Sequence, residues 1–157
     1  MATSVRGLKS LNRKLAAIPK EVRREVRKAL EKGAYQIADT AYSLAPSDSG
    51  DLKRSIGYTF GKYTAANSNV RGVGASGTIV DSDLSVTVHA GDAKAFYAAF
   101  IEFGTAGHAQ GGKFAGTWHP GTPPQPFFYP AYRLRKRGVK AGISRAVKKA
   151  SVKVAKS

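Results

Sequence analysis

Gly72-Val73-Gly74-Ala75-Ser76-Gly77 carries the glycine spacing of a phosphate-binding loop. In a dinucleotide site such glycines follow a strand and open a helix, whose first N–H groups hold the pyrophosphate. Here Thr78-Ile79-Val80 comes next, a β-branched run that favours a strand, and no strand–helix–strand unit surrounds it. The lysine and catalytic-loop motifs that accompany a kinase glycine loop are missing. The spacing therefore predicts a hairpin loop. His89, His108 and His119 never fall at the three-to-five-residue spacing of metal ligands, and Glu102 could join them only through the fold. His89 is expected to end a strand and the other two to lie in a loop. Glu102 itself interrupts an apolar run, Phe100-Ile101-Glu102-Phe103. It is either a buried carboxylate with a shifted pKa or a helix-edge residue turned to solvent or to an arginine, and the second is expected. With no cysteine in the chain, disulfides, thiolate zinc sites and cysteine nucleophiles are excluded. No residue set supports nucleophilic or general acid–base catalysis. The expectation is a protein that is not an enzyme, with no catalytic residues, no metal and no cofactor.

Binding chemistry is better represented. Trp118, Phe127 and Phe128 flank the proline-rich segment from Pro120 to Pro126. Aromatics beside a proline-restrained loop can anchor a partner surface, or they can fold back on their own domain; both readings stay open here. The chain has 26 Lys and Arg against 10 Asp and Glu, a net charge of +16. Residues 1–32 hold ten basic and three acidic side chains, residues 133–157 hold ten basic and none acidic, and the middle is close to neutral. Basic flanks of this kind attract polyanions, whether nucleic acid, anionic lipid or an acidic protein surface. Arg23, Arg24, Arg27 and Lys28 in the first flank, and Arg133, Arg135, Lys136, Arg137 and Lys140 in the second, are the candidate contacts with partner or DNA. A membrane role is not expected, because beyond Tyr132 the apolar side of the second flank is Val, Ile and Ala, without large anchors.

The elements that position these residues follow from periodicity. Val22, Val26, Leu30, Gly33, Ile37, Ala41 and Leu44 recur at steps of three or four, which predicts one helix over Lys20–Ala45, about 39 Å long. Pro19 suits its start and Pro46 its end. A shorter helix over Leu8–Ala17 precedes it. Ser49 or Asp51 can cap a helical turn through Leu52. Ser55–Thr64 and Ile79–His89 read as antiparallel strands joined across the Gly/Ser/Asn-rich loop 65–77. Asp92 can cap an apolar helix, Ala93–Phe103, that Gly104 stops. Thr105–Gln125 reads as a flexible loop. Phe127 to about Val154 reads as a second amphipathic helix, with Tyr132, Val139, Ile143, Val147, Ala150 and Val154 inward. Gly138 and Gly142 weaken that helix by about 1 kcal/mol each, enough for a bend or break. At 157 residues the expectation is one α+β domain over 1–157: a small antiparallel sheet packed by a long N-terminal helix, a short central helix and a C-terminal helix. The basic helical flanks are 1–45 and 127–157. No apolar run is long enough to cross a bilayer, and the first residues lack the apolar core of a secretory signal, so synthesis and retention in the cytosol are expected.

Three segments carry a resemblance. LAPSDSGDLKRSI (Leu44–Ile56) resembles the "APvdTGxLxxSI" element of a family of phage tail-component proteins. FYAAFIEFGT (Phe96–Thr105) is similar to its "YAxxxEFGT" element, and PPQPFFYPAY (Pro123–Tyr132) to its "xxPFLxPAl" element. They occur in the family's order, after a helix starting near Ile18-Pro19-Lys20-Glu21-Val22-Arg23-Arg24. The resemblance extends over roughly residues 5–150, and the loops 65–77 and 105–125 are longer than the family pattern. It implies a non-enzymatic structural protein of the virion, made in the bacterial cytoplasm. Its place would be the neck or upper tail of a long-tailed bacteriophage, where it joins head to tail or completes the tail. The implied partners are further copies in a ring, commonly hexameric, other neck and tail proteins, and genome DNA in the channel. A stand-alone basic nucleic-acid-binding protein is the alternative reading.

Overall fold

The computed structural model describes residues 20–61, 63 and 84–155. The helix expected over Leu8–Ala17, the glycine motif 72–77 and the start of the second strand lie outside the described residues. In chain order the elements are α1 (Lys20–Leu44), α2 (Asp51–Arg54), β1 (Gly57–Phe60), β2 (Val86–His89), α3 (Ala98–Phe103), β3 (His108–Ala109), a 3₁₀ turn (Gly112–Phe114), β4 (Trp118–His119) and α4 (Phe128–Ala155). This is the expected α+β arrangement.

α1 buries Val22, Val26, Ala34, Ile37, Ala38 and Ala41, the steps that hold side chains on one helix face. Glu21 stands in its first turn, where a carboxylate meets unpaired N–H groups favourably. The predicted stripe fails at its end: Leu44 is 48% exposed and Ala45 takes the buried place. The four-residue step from Ala41 returns to the core side, and the three-residue step leaves it.

α4 packs antiparallel to α1. Ala131 shares a core cluster with Ala41 at one end, and Ala150 shares another with Val22 and Val26 at the other. Between them Val139 lies against Gly33, so closely that a Cβ built on Gly33 would stand 2.5 Å from Val139 Cγ1. The glycine is what lets the backbones approach. Arg135 Nε donates to the buried Thr40 Oγ1 at 2.7 Å, and that hydroxyl donates to the Gln36 carbonyl. α4 runs unbroken through Gly138 and Gly142, because packing on α1 outweighs the weak local propensity. Tyr132 and Val147, read as inward, are exposed, and Ala131 holds the buried position instead.

β1 and β2 form an antiparallel pair with Gly57 opposite His89 and Phe60 opposite Val86, the end of the predicted hairpin farthest from its loop. The sheet is tied to α1 by the Arg27 guanidinium, 4.2 Å from the centroid of the Phe60 ring. α2 is preceded by Gly50, whose φ of 80° is a left-handed conformation that other residues adopt at a cost. Asp92 Oδ1 accepts from the Lys94 and Ala95 N–H groups. That carboxylate closes a turn ahead of α3, which is shorter than the predicted Ala93–Phe103. Gly104, at φ 72°, ends α3 and lies against the Thr122 carbonyl and Pro124.

The segment Thr105–Gln125 is the largest departure from expectation. Thr105 pairs with Thr122, His108 with His119 and Ala109 with Trp118, and Gln110 N–H donates to the Thr117 carbonyl. A 3₁₀ turn closes the tip. What reads locally as an irregular loop is a hairpin arm.

Candidate functional site

The three segments that carry the resemblance meet at one end of the helix pair. Ala45 and Leu52 of the first, Ala98 of the second, and Phe127 and Ala131 of the third share one buried cluster with Ala41. Polar bonds tie the same places together. Ser55 Oγ donates to the Leu52 carbonyl and accepts from Gly91 N–H at 3.0 Å, linking the end of α2 to the end of β2. Gln125 N–H donates to the Ile101 carbonyl.

Glu102 completes this junction and corrects the expectation of a solvent-facing residue. It is 7% exposed. Its Oε2 accepts from the N–H groups of Phe127 and Phe128 at 2.7 and 2.8 Å, and Oε1 accepts from Tyr129 N–H at 2.9 Å. The carboxylate thus satisfies donors that the start of any helix leaves unpaired, and its charge faces the positive end of the helix dipole. A signal for this was present. Pro126-Phe127-Phe128 offers no Ser, Thr, Asp or Asn to cap α4, and Glu102 is the last acidic residue of the chain.

The aromatic candidates divide. Phe127 is 1% exposed and fills the core, and Phe128 is half-buried against the same cluster. Trp118 is 69% exposed on the arm, with Phe114 at 65% on the tip. The Trp118 ring covers Gly107 along one side of the ladder. His108 and His119, cross-strand partners, stack with ring centroids 5.4 Å apart. Among the described residues no three His, Cys, Asp or Glu side chains group as a metal site requires.

His89 ends β2, as the sequence predicts. Its ring stacks on Tyr63 with centroids 4.1 Å apart, and Nε2 lies 3.3 Å from Thr59 Oγ1. Burial pushes the imidazole below its ordinary pKa, with the Ser55 backbone acting in the opposite direction. The unfolded chain therefore binds this proton at higher pH than the folded chain. The stability contributed by neutral His89 is complete above the unfolded pKa, about 6.5, and is lost as pH falls from there toward the folded value. The thermal midpoint, followed by circular dichroism, should drop more between about pH 7 and pH 5 in the wild type than in His89→Gln. Equal drops would remove His89 as the source.

The basic candidates lie on two helices. On α1, Arg24, Arg27 and Lys28 are exposed and Arg23 is half-buried. Arg24 and Lys28 both pair with Glu25, at 3.7 and 3.6 Å, exposed contacts of little energetic weight. On α4, Arg133, Arg135, Lys136, Arg137 and Lys140 are all exposed. Arg133, Lys136, Arg137 and Lys140 follow steps of three, one and three, which set them on a single face. Arg135 stands off that face, bonded to Thr40. Among the described residues no helix is long and apolar enough to cross a membrane.

No curated protein and no solved structure gives a significant match to the chain. One protein family does: the one described as bacteriophage HK97-gp10, putative tail-component, matches residues 9–104. That range takes in Leu44–Ile56 and the second segment up to Gly104, and it stops before the arm and before Pro123–Tyr132. With well over half of the chain matched, the protein belongs to the HK97-gp10-like family of bacteriophage tail components.

Proposed function

We propose that this tail component is a non-enzymatic ring subunit of the neck or upper tail, joining head to tail or completing the tail. Identical copies pack head to tail around a closed axis, and the resemblance noted above makes a hexamer the expected ring. The observation that carries this reading is the outward placement of the arm and of the basic face of α4. Arg133, Arg137 and Lys140 make no ion pair among the described residues, and the arm's large aromatics face solvent. Both surfaces suit contact with neighbours. Sedimentation velocity on the purified full chain should show a closed oligomer; a monomer at every concentration would contradict the ring.

The basic face fits acidic surfaces of adjacent rings better than it fits the genome. A strongly adhesive channel would hinder DNA passage, because every copy multiplies the phosphate contacts. DNA contact is the secondary role of this face. The second reading, a stand-alone nucleic-acid-binding protein, draws on the same four cations. Neutralising about four phosphates would give a slope of about −3.6 in log K against log salt. Duplex binding followed by fluorescence anisotropy should instead be weak and shallow. A slope near the steeper value, from a monomer or dimer, would favour the second reading.

A further inference from the structure

The arm and the body carry surfaces of complementary composition. Its ladder from Thr105↔Thr122 to Gln110–Thr117 holds the arm extended for roughly 17 Å at about 3.4 Å per residue. The tip is thus carried away from its own base. At that base lies an open groove of about 530 Å³, walled by Pro46, Leu52, Tyr97, Phe100 and Ile101. Its size is that of a site for a compact, mostly apolar group. Asp48 is the one charged residue of its lining. The nearby Asp51 is already bonded to Arg54 at 2.7 Å. The arm has the matching composition: Phe114 and Trp118 are its large apolar side chains, and between Thr105 and Gln125 Lys113 is the only Lys or Arg, with no Asp or Glu.

We infer that the arm of one copy docks in the groove of the next copy, with Phe114 and Trp118 against its apolar wall and Lys113 beside Asp48. The inference deepens the ring reading above and rests on it. Charge complementarity selects the occupant. In a chain of net charge +16, an apolar groove whose one charge is acidic accepts an apolar tip whose one lysine is basic. The geometry is also open-ended, because groove and arm tip are separate surfaces of one copy. A copy that receives a neighbour's arm still offers its own, so one heterologous contact repeats until the ring closes.

The absence of cysteine gives a clean test. Full-length Lys113→Cys and Asp48→Cys variants, mixed and oxidised, should form a disulfide-linked dimer that neither forms alone to the same extent. Trp118→Ala should raise the concentration for half-assembly at least tenfold in mass photometry. Lys113→Asp should act likewise, and adding Asp48→Lys to it should restore assembly. Circular dichroism establishes that each variant is folded; these positions are exposed. If the wild type forms oligomers while the mixture stays uncrosslinked and Trp118→Ala assembles normally, the arm contact is wrong and the ring stands. A wild type that never assembles overturns both.

Discussion

Replacing Glu102 with alanine is expected to destabilise the folded chain by about 3 kcal/mol. The change removes a charged acceptor shared by three backbone donors. Hydrogen bonds to charged groups contribute roughly 1.5–3 kcal/mol each, and a buried donor left without a partner pays its desolvation cost in full. The three terms do not add. Phe127 N–H sits in the core, whereas the donors at Phe128 and Tyr129 are only part-buried and regain water when the carboxylate goes. That asymmetry brings the total to about one strong bond. In a domain of this size the thermal midpoint should fall by roughly 6–12 °C. Glu102→Gln should lose an intermediate amount, because its carbonyl oxygen still accepts while its amide group opposes an N–H donor. A drop under about 2 °C in Glu102→Ala, or equal losses in both variants, would show that the cap does not hold α4.

The second large effect is expected at Gly33. Glycine inside a helix costs about 1 kcal/mol relative to alanine, so on propensity alone Gly33→Ala should stabilise α1. The contact decides otherwise. A Cβ there would lie 2.5 Å from Val139 Cγ1 and 3.3 Å from Cγ2, and a β-branched side chain in a helix has little rotamer freedom to retreat. Overpacking of this kind costs about 1–3 kcal/mol. Gly33→Ala should therefore be slightly destabilising in urea unfolding, and Gly33→Leu, with three more carbons to place, should lose about 3 kcal/mol. Adding Val139→Ala to Gly33→Ala should return stability toward the wild type, with a coupling above about 1 kcal/mol. Additive losses would show that the two residues do not share this contact.

The sequence declared its elements best where local chemistry and tertiary packing agree. α1 was legible because its apolar steps run for six turns and Pro46 stops them, and Gly33 already stood on the buried stripe. The pairing of β1 with β2, the position of His89 at a strand end and the start of α4 were legible for similar reasons. Glu102 was misread because its partners lie 25 to 27 residues away. A cap supplied across the chain leaves no local spacing to detect, and only the uncapped start of α4 hinted that an acceptor was required. The arm was missed because its strands are two residues long, too short for alternation to show. Its glycines looked like looseness, yet Gly121, at φ 89°, permits close approach to the Thr105 carbonyl across the ladder. Phe127 stayed open between a surface anchor and a core residue; its 1% exposure settles it as core, and the N–H bond to Glu102, 25 residues away, left no local sign of that.

Electron microscopy of the purified full chain decides whether the protein closes into a ring. Class averages should show closed rings of identical subunits with a central opening, hexameric in count, each copy joined to the next through its arm. A field of single compact particles, unchanged as the protein is concentrated, would contradict it.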